Sequence, residues 1–457
     1  MNLGIDSRRI LTTTLCLVLG QTQGSASGAI GLIGQEQTKT TWAARTLNTL
    51  SLEEKVGQML QVRYYADYES FESAEYQQVR DQILKYHIGS LVFGMHFNSL
   101  GPIRSTAIAV AKVANQLQRD SKLPLLLAAD VERGVASRLK NVPAFPWPMA
   151  WGAVGNPATV RRIGVITASE ASAVGIQWAM APVADINSNP ANPVINDRSF
   201  GEDPEQVSRL VAAYIRGAQE NGLLVTAKHF PGHGDSSIDS HRGIPSIEDD
   251  REHLDKVELA PFRKAIEAGV DSIMLAHARV PAIDSDPNKI ATTSSKIVDG
   301  LLKDQLGFKG VVVTDALEMK GITSLYDPQK GSPTALAALD AVKAGCDVIM
   351  IPTDLDGAFH AILGAVKSGE ISESRIDESV RKILRMKARV GLDKNRFVDL
   401  DHVQERVSRP DDMALPNLSQ TKQSRSFAIV ENYCRSGSTR ALQILARIRL
   451  RPLVTIA

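Results

Sequence analysis

The segment of residues 228–241, which reads KHFPGHGDSSIDSH, has the highest density of side chains that could do chemistry. It carries three of the nine histidines of the chain, together with Asp235 and Asp239. Such a cluster has two chemical uses: metal binding by imidazole and carboxylate groups, or proton transfer by a histidine that a carboxylate orients.

A metal site would take its ligands from His229, His233, Asp235 and His241. Phe-Pro-Gly separates the first two histidines, and this sequence cannot form the helical turn that aims an i,i+4 pair at one ion. We therefore predict neither a metal ion nor a cofactor.

Proton transfer needs only Asp239 and His241. In an extended segment the side chains at i and i+2 share a face, so the carboxylate can reach the imidazole ring. This contact sets the tautomer of the ring and raises its basicity, which prepares it to give and take a proton. A loop whose histidines only bond to backbone groups is the simpler alternative.

A second candidate is Asp315, which follows the run VVVT. A carboxylate at a strand tip is held rigidly and suits a nucleophile, although the same position is common for an ordinary helix N-cap. Other apolar runs also end in polar residues: Asp130, Asp185, Lys228 with His229, and His277. A further candidate is Arg198, whose planar guanidinium suits sugar hydroxyls or a carboxylate; an ion pair with Glu202 or Asp203 is its alternative.

The elements that must position these residues alternate between short apolar runs and helical stretches. The runs are residues 90–93, 125–128, 178–183, 223–226, 272–275, 311–314 and 348–351. The helical candidates are residues 107–119, 157–172, 204–220, 251–268 and 332–344, after an opening helix with a capping-box pattern at Ser51 and Glu54. Short runs separated by helices are typical of buried parallel strands.

This alternation predicts an α/β fold, a TIM-type (β/α)8 barrel over residues 51–400. In such a barrel the carboxyl ends of the strands line one mouth, where the polar residues would meet. A doubly wound sheet is the alternative, but no G-x-G-x-x-G pattern supports its dinucleotide-binding form.

Together these segments resemble glycoside hydrolase family 3, and within it the β-N-acetylglucosaminidase branch. SLEEKVGQM resembles the opening helix of that family, NPANPVINDRSFGEDPE the loop after its third strand, KHFPGHGDSSIDSH its signature and TDALEM its nucleophile strand. The match runs in continuous order over about residues 50–400, and the long signature is its most specific part.

The resemblance implies a role for each matching position. Asp315 would be the nucleophile that forms a covalent glycosyl–enzyme, so the reaction would retain the anomeric configuration. His241 would protonate the leaving oxygen and later deprotonate water, with Asp239 orienting the ring. The positions that match binders of sugar hydroxyls are Asp130, Arg198, Lys228 and His229, and Arg138 matches a further arginine near that site.

The chain departs from the family pattern after Asp130, where Val131-Glu132-Arg133-Gly134 replaces Gln-Glu-Gly-Gly. This change bears on sugar specificity rather than on the reaction. The β-glucosidase branch is the nearest alternative, but its members lack the Asp-Ser-His dyad and usually take the acid/base from a second domain.

Composition excludes several other classes. The 457 residues include 52 Lys and Arg against 51 Asp and Glu, so no global field attracts nucleic acid or an anionic membrane. Three cysteines exclude a disulfide framework, and Cys346, within an apolar run, is predicted to be a buried, unreactive thiol.

Both ends are predicted to lie outside the barrel. Residues 1–27 combine Arg8 and Arg9 with a short apolar run and small residues, the pattern of a secretory signal peptide. We therefore expect a periplasmic or secreted protein without stable membrane insertion after cleavage. Residues 28–50 are predicted to be a linker. Residues 401–457 indicate either a natural basic tail or a truncated or frame-shifted second domain.

The predicted function is that of an exo-acting retaining β-N-acetylhexosaminidase. Its partner would be a GlcNAc-containing oligosaccharide or muropeptide from chitin or peptidoglycan, and not nucleic acid. Two alternatives stay open: a phosphorylase, because histidine does not repel phosphate as a carboxylate would, and an inactive sugar-binding relic. The oligomeric state is not predicted.

Overall fold

The computed structural model describes residues 41–65, 70–99, 101–142, 144–407 and 409. Eight parallel strands in this part form one sheet in the order β8-β1-β2-β3-β4-β5-β6-β7. Their bounds are β1 Leu60–Tyr65, β2 Ser90–Gly94, β3 Leu126–Ala129, β4 Trp178–Ala179, β5 Leu224–Phe230, β6 Ser272–Leu275, β7 Val311–Thr314 and β8 Ile349–Met350. A bridge between Val313 and Val348 joins the two edges of the sheet. The predicted (β/α)8 barrel is confirmed.

Helices lie between successive strands and flank the barrel. They are α1 Trp42–Leu47, α2 Leu52–Gln58, α3 Ala74–Tyr86, α4 Ala107–Asp120, α5 Pro148–Val154, α6 Pro157–Ala173, α7 Pro204–Glu220, α8 Arg251–Lys256, α9 Ala260–Glu267, α10 Lys320–Thr323, α11 Pro333–Ala344, α12 Leu355–Lys367, α13 Glu373–Arg389 and α14 Val403–Arg406. A π-helix spans Lys296–Gln305. Short 3-10 helices span Val135–Ser137, Asn196–Arg198, Ala291–Thr293 and Pro328–Lys330, and Phe97–Asn98 pairs with Gly101–Pro102 in a small antiparallel ribbon.

The strands are buried on both faces, as their composition predicts. Every residue of β3, β5, β6 and β7 is buried, because one face fills the barrel and the other packs under the helices. The capping box at α2 is also present: the Ser51 side chain accepts from the backbone N–H of Glu54, and the Glu54 carboxylate accepts from that of Ser51.

Two elements differ from the prediction. Strand β1, which reads LQVRYY, was missed because Gln61 and Arg63 interrupt its apolar pattern. The single helix predicted over residues 251–268 is two helices, α8 and α9. The break precedes Pro261 in the first turn of α9, where proline has no N–H to continue the preceding helix.

The barrel unit extends beyond both of its predicted ends. Helix α1 lies inside the predicted linker, and its residues Ala43 and Leu47 are buried, so residues 41–50 are not a linker. Helix α14 lies inside the predicted tail, where Val403 is buried. The predicted signal peptide, the rest of the linker and the tail from residue 410 onward lie outside the described residues.

The thiol of Cys346 is buried and free, as predicted. Burial raises the pKa of this thiol to about 12, which keeps it protonated and unreactive near neutral pH. Among the described residues, no helix is both long enough and apolar enough to cross a membrane.

Candidate active site

The polar residues that follow β3 to β7 gather at the carboxyl ends of the strands, as a barrel requires. Lys228 and His229 lie in the last part of β5. The Lys228 Nζ lies 2.9 Å from Asp130 Oδ1, after β3, and the His229 Nδ1 lies 2.7 Å from Asp185 Oδ2, after β4. Residues distant in the chain therefore form one polar centre.

A network of charged side chains forms one side of this centre. Besides its contact with Asp130, Lys228 Nζ lies 2.7 Å from Glu132 Oε1. The guanidinium of Arg198 forks onto the same Glu132 carboxylate at 2.8 and 3.0 Å, and Arg138 donates to Asp130 Oδ2 at 2.6 Å. Three cations thus surround two carboxylates, and Arg198 pairs with Glu132 rather than with Glu202 or Asp203.

Exposure separates the members of this network. Only 3% of the Lys228 side chain is exposed, whereas 41% of the Asp130 side chain is exposed. Burial alone would raise the pKa of Glu132, but Arg198 and Lys228 outweigh it and hold that pKa well below its usual range. Lys228 and Glu132 therefore form a fixed ionic base, and Asp130 is the most exposed of these charged groups toward a ligand.

A second group of buried side chains lies around Asp185, which is fully buried. The backbone N–H groups of His229 and His233 donate to its carboxylate at 2.8 to 3.1 Å. Burial would raise the pKa of Asp185, but the adjacent His229, both as a charge and as a donor, lowers it. The contact with Asp185 engages Nδ1 of His229 and leaves its Nε2 as the atom that can meet a ligand.

Asp315 follows β7 directly, and its Oδ1 accepts from the backbone N–H of Ala316 at 2.8 Å. Burial would raise the pKa of Asp315, but the nearby His229 and His277, the Ala316 N–H and Lys228 lower it. The carboxylate is therefore ionised near neutral pH and ready to act as a nucleophile. His277 is fully buried, and its Nε2 lies 3.1 Å from the carbonyl oxygen of Ala316, which fixes the turn after Asp315.

The predicted contact between Asp239 and His241 is confirmed. The Oδ1 atom of Asp239 lies 2.8 Å from Nδ1 of the ring and also accepts from the backbone N–H of His241. Burial would raise the pKa of Asp239, but these two hydrogen bonds lower it. The His241 side chain is 62% exposed.

The dyad loop, residues 231–250, adjoins the segment that follows Asp315. The backbone N–H of Gly321 donates to the carbonyl oxygen of Ser240 at 2.8 Å. In the part of the chain that the structure describes, no hydrogen bond or ion pair joins Asp315 to His241. The two side chains thus belong to adjoining segments.

The structure does not arrange His229, His233, Asp235 and His241 as one ligand set. Asp185 engages Nδ1 of His229 and Asp239 engages Nδ1 of His241, while Asp235 is exposed. The rings of His229 and His233 are 6.1 Å apart between centroids.

Sequence reasoning missed Glu132 as a member of the centre and considered His233 only as a metal ligand. Glu132 was noted only as part of the departure from the family pattern, and its contact with Arg198 spans 66 positions. Arg133, the substituted residue beside it, donates to the Phe145 carbonyl oxygen and lies 4.6 Å above the Trp147 ring. The remaining glycine, Gly134, has a φ of 73°, which favours glycine.

Comparisons with known proteins identify the family of the chain. The family model described as glycosyl hydrolase family 3 N terminal domain matches residues 51–386. A beta-N-acetylglucosaminidase/beta-glucosidase of Cellulomonas fimi is 32% identical over 363 residues, which are 77% of this chain and 60% of that protein. The chain thus spans about three fifths of that relative.

Two solved structures are similar in fold. A glycoside hydrolase family 3 beta-N-acetylglucosaminidase from Paenibacillus sp. str. FPU-7 has a TM-score of 0.71 and 37% identity, covering 81% of this chain and 68% of that one. A beta-glucoside phosphorylase has a TM-score of 0.73 and 28% identity, covering 82% of this chain and 65% of that one.

Proposed function

The chain belongs to glycosyl hydrolase family 3, and from that membership we propose that it is an exo-acting, retaining β-N-acetylhexosaminidase. The observation that carries the proposal is the contact of Asp239 with His241 in a loop bonded to the segment that follows Asp315. A nucleophile and a separate proton donor are the two groups that a retaining glycosidase needs.

In the first step, a carboxylate oxygen of Asp315 attacks the anomeric carbon of the sugar. Because Oδ1 already accepts from Ala316, we assign the attack to Oδ2. The bond from the anomeric carbon to the glycosidic oxygen breaks, and that oxygen takes the proton from Nε2 of His241. Asp239 holds Nδ1, so Nε2 is the ring atom that exchanges protons.

In the second step, water attacks the anomeric carbon and gives its proton to His241, while the bond to Asp315 breaks. Both the carboxylate and the protonated imidazole are restored. The 62% exposure of the His241 side chain fits this role, because the leaving group departs into solvent and the water arrives from it.

The sugar would bind over the charged network. We propose that Asp130, Arg138, Arg198, Lys228 and His229 contact the hydroxyl groups of the non-reducing residue. Asp130 has the exposed carboxylate, and the buried Lys228 and Glu132 hold its position. A compact set of polar groups at the end of a barrel suits one terminal sugar, which is the basis for exo action.

The substrates would be peptidoglycan or chitin-type fragments that end in β-linked GlcNAc. We further propose a periplasmic or secreted location, which rests on the predicted signal peptide of residues 1–27. Chitin and peptidoglycan fragments would be met in these compartments.

The experiment is a comparison of initial rates on 4-nitrophenyl β-GlcNAc and 4-nitrophenyl β-glucoside with the full chain. We expect turnover of the GlcNAc substrate and its loss in Asp315→Asn. Turnover of the glucoside alone would contradict the hexosaminidase assignment. A folded protein that cleaves neither substrate would favour the sugar-binding relic and overturn the proposal.

The likeness to the beta-glucoside phosphorylase structure favours a second candidate, in which phosphate replaces water as the acceptor. A histidine acid/base is compatible with phosphate as the acceptor, because it does not repel the phosphate anion as a carboxylate would. Phosphorus NMR of the reaction in phosphate buffer decides between the two acceptors. A new GlcNAc 1-phosphate signal indicates phosphorolysis, and release of 4-nitrophenol without that signal indicates hydrolysis.

A further inference from the structure

A cluster of metal-ligand side chains lies at the end of the dyad loop, apart from the polar centre. It consists of Asp249, His253 on α8, and Glu258 between α8 and α9, and one ligand atom of each lies within 4.8 Å of the others. We infer that these three side chains bind a divalent first-row metal ion and that this ion fastens the dyad loop. The inference does not depend on the proposed activity.

The strongest support for a bound cation is the carboxylate of Glu258. The residue is only 1% exposed, and its Oε1 accepts from Ser188 Oγ at 3.2 Å, while its Oε2 has no hydrogen-bond partner among the described residues. The Oδ2 atom of Asp249 in the same cluster also has none. Buried polar oxygens without a partner are rare in native proteins, and a bound ion is one recognised cause.

The local charge also favours a cation. Asp235, Asp249 and Glu258 are close enough to perturb one another electrostatically, and among the described residues no lysine or arginine forms an ion pair with any of them. This surplus of negative groups is what a divalent ion would neutralise.

The donor set selects the class of ion. One imidazole with two carboxylates suits zinc or manganese, whereas calcium and magnesium prefer oxygen ligands alone. Ligand atoms of a tetrahedral zinc ion lie about 3.4 Å apart, and the His253 Nε2 lies 3.7 Å from Asp249 Oδ1, so this pair needs only a small movement to bind the ion. The side chain of His253 is 45% exposed, which gives it room for that movement.

The position of the cluster explains what the ion would do. The dyad loop starts against Glu258, since a Cβ atom on Gly232 would lie 2.5 Å from its Oε2. The loop ends at Asp249, next to the start of α8. An ion shared by Asp249 and Glu258 would therefore join the two ends of the loop that carries Asp239 and His241.

The test is a calorimetric titration of Zn²⁺ into the full chain after treatment with EDTA. We expect one site, with binding at least about tenfold weaker in His253→Ala, because the loss of an outer-shell group alone already weakens metal binding 10- to 100-fold. The exposed position of His253 makes this variant safe for folding. The matched control is Glu252→Gln, one residue away on α8 and ion-paired with Lys256, which should bind as the wild type does.

Hydrogen–deuterium exchange gives a second readout. Zinc should slow exchange in the dyad loop of the wild type and not in His253→Ala. The inference is wrong if the wild type does not bind the ion, or if His253→Ala binds it as tightly as the wild type. It is equally wrong if binding is lost in His241→Ala and kept in His253→Ala, because the ion would then lie at the dyad.

Discussion

At the scale of single residues, the proposed nucleophile and the proposed proton donor have opposite surroundings. Asp315 lies among His229, His277 and Lys228, which keep its carboxylate ionised. His241 is largely exposed and contacts the acidic side chain of Asp239. Substitutions at the two kinds of position should therefore affect activity and stability differently.

His241→Ala should abolish most activity without destabilising the protein. General acid–base groups contribute about 10²- to 10⁴-fold to a rate, and we expect kcat/KM to fall by that factor. The melting temperature should not change, because exposed substitutions alter stability by about 0.5 kcal/mol or less. Steady-state kinetics and thermal melting measure the two effects.

The control is His402→Ala. His402 also contacts a carboxylate, with its Nδ1 2.6 Å from Asp399 Oδ2, and its side chain is 57% exposed. It lies beside α14, and its substitution should leave kcat/KM unchanged. Equal losses in both variants, or a loss below tenfold in His241→Ala, would refute the assigned role.

Lys228→Met should destabilise the fold strongly. The substitution leaves the Asp130 and Glu132 carboxylates with one fewer buried cation, and breaking a buried ion pair in this way costs about 3–5 kcal/mol. Urea unfolding measures the loss. The control is Lys256→Met, which breaks an exposed ion pair with Glu252. It should lower the free energy of unfolding by about 1 kcal/mol or less. Similar losses in the two variants would contradict the structural role of Lys228.

The sequence predicted contacts that are close in the chain better than those that are distant. The Asp239–His241 contact follows from side-chain alternation over two residues. The pairing of Arg198 with Glu132 depends on the barrel bringing the loops after β3 and β4 together. Sequence spacing alone offered Glu202 and Asp203 as partners for Arg198, and the fold selected Glu132 instead.

At the scale of elements, the contact between the dyad loop and α10 sets the position of His241. A Cβ atom on Gly321 would lie 2.7 Å from the carbonyl oxygen of Ser240 and 3.1 Å from that of Gly243. Both are backbone atoms, so the loop must move if this glycine is replaced.

Gly321→Ala should therefore lower kcat by about tenfold or more, since small misplacements of a catalytic group have large effects on rate. Kinetic assays test this. The matched control is Gly364→Ala in α12, where a Cβ atom would meet no atom within 4 Å. That variant should keep full activity, and its free energy of unfolding should rise by up to about 1 kcal/mol because alanine has a higher helix propensity than glycine. Full activity in Gly321→Ala would show that the contact does not position the dyad.

Seven of the eight strands were predicted from short apolar runs, because full burial leaves a simple pattern. Strand β1 was not predicted, because the fully buried Gln61 interrupts its apolar run. The break between α8 and α9 was not predicted either. Both helices continue a similar apolar pattern, and only the position of Pro261 indicates the break.

At the scale of the whole molecule, stability should depend on acid pH. Four carboxyl groups have a lower pKa in the folded protein than in the free side chain: Asp130, Glu132, Asp185 and Asp315. These groups stabilise the fold when they are ionised in both states, above about pH 4.5. As the pH falls, the unfolded chain takes up protons first, so the free energy of unfolding should decrease.

Urea unfolding at pH 6 and at pH 3.5 measures this effect. We expect a lower midpoint at pH 3.5 and a smaller difference between the two pH values in Glu132→Gln. A midpoint that does not change between these pH values would contradict the assigned ionisation of the network.

The general architecture of the molecule was predictable, because the alternation of strands and helices persists over more than 300 residues. The limits of the barrel unit were not. Helices α1 and α14 are short, and only their buried residues, Ala43 and Leu47 in α1 and Val403 in α14, show that they pack on the rest of the unit. A sequence pattern gives little sign of such packing.

The most direct test of the proposed mechanism is a proton NMR time course of 4-nitrophenyl β-GlcNAc cleavage by the full chain. Because two successive displacements at the anomeric carbon restore its configuration, we predict that β-GlcNAc appears first and converts to the α anomer only afterwards. Asp315→Asn should give no product on the same timescale. If α-GlcNAc appears first, Asp315 does not act as a nucleophile, and the proposed mechanism is wrong.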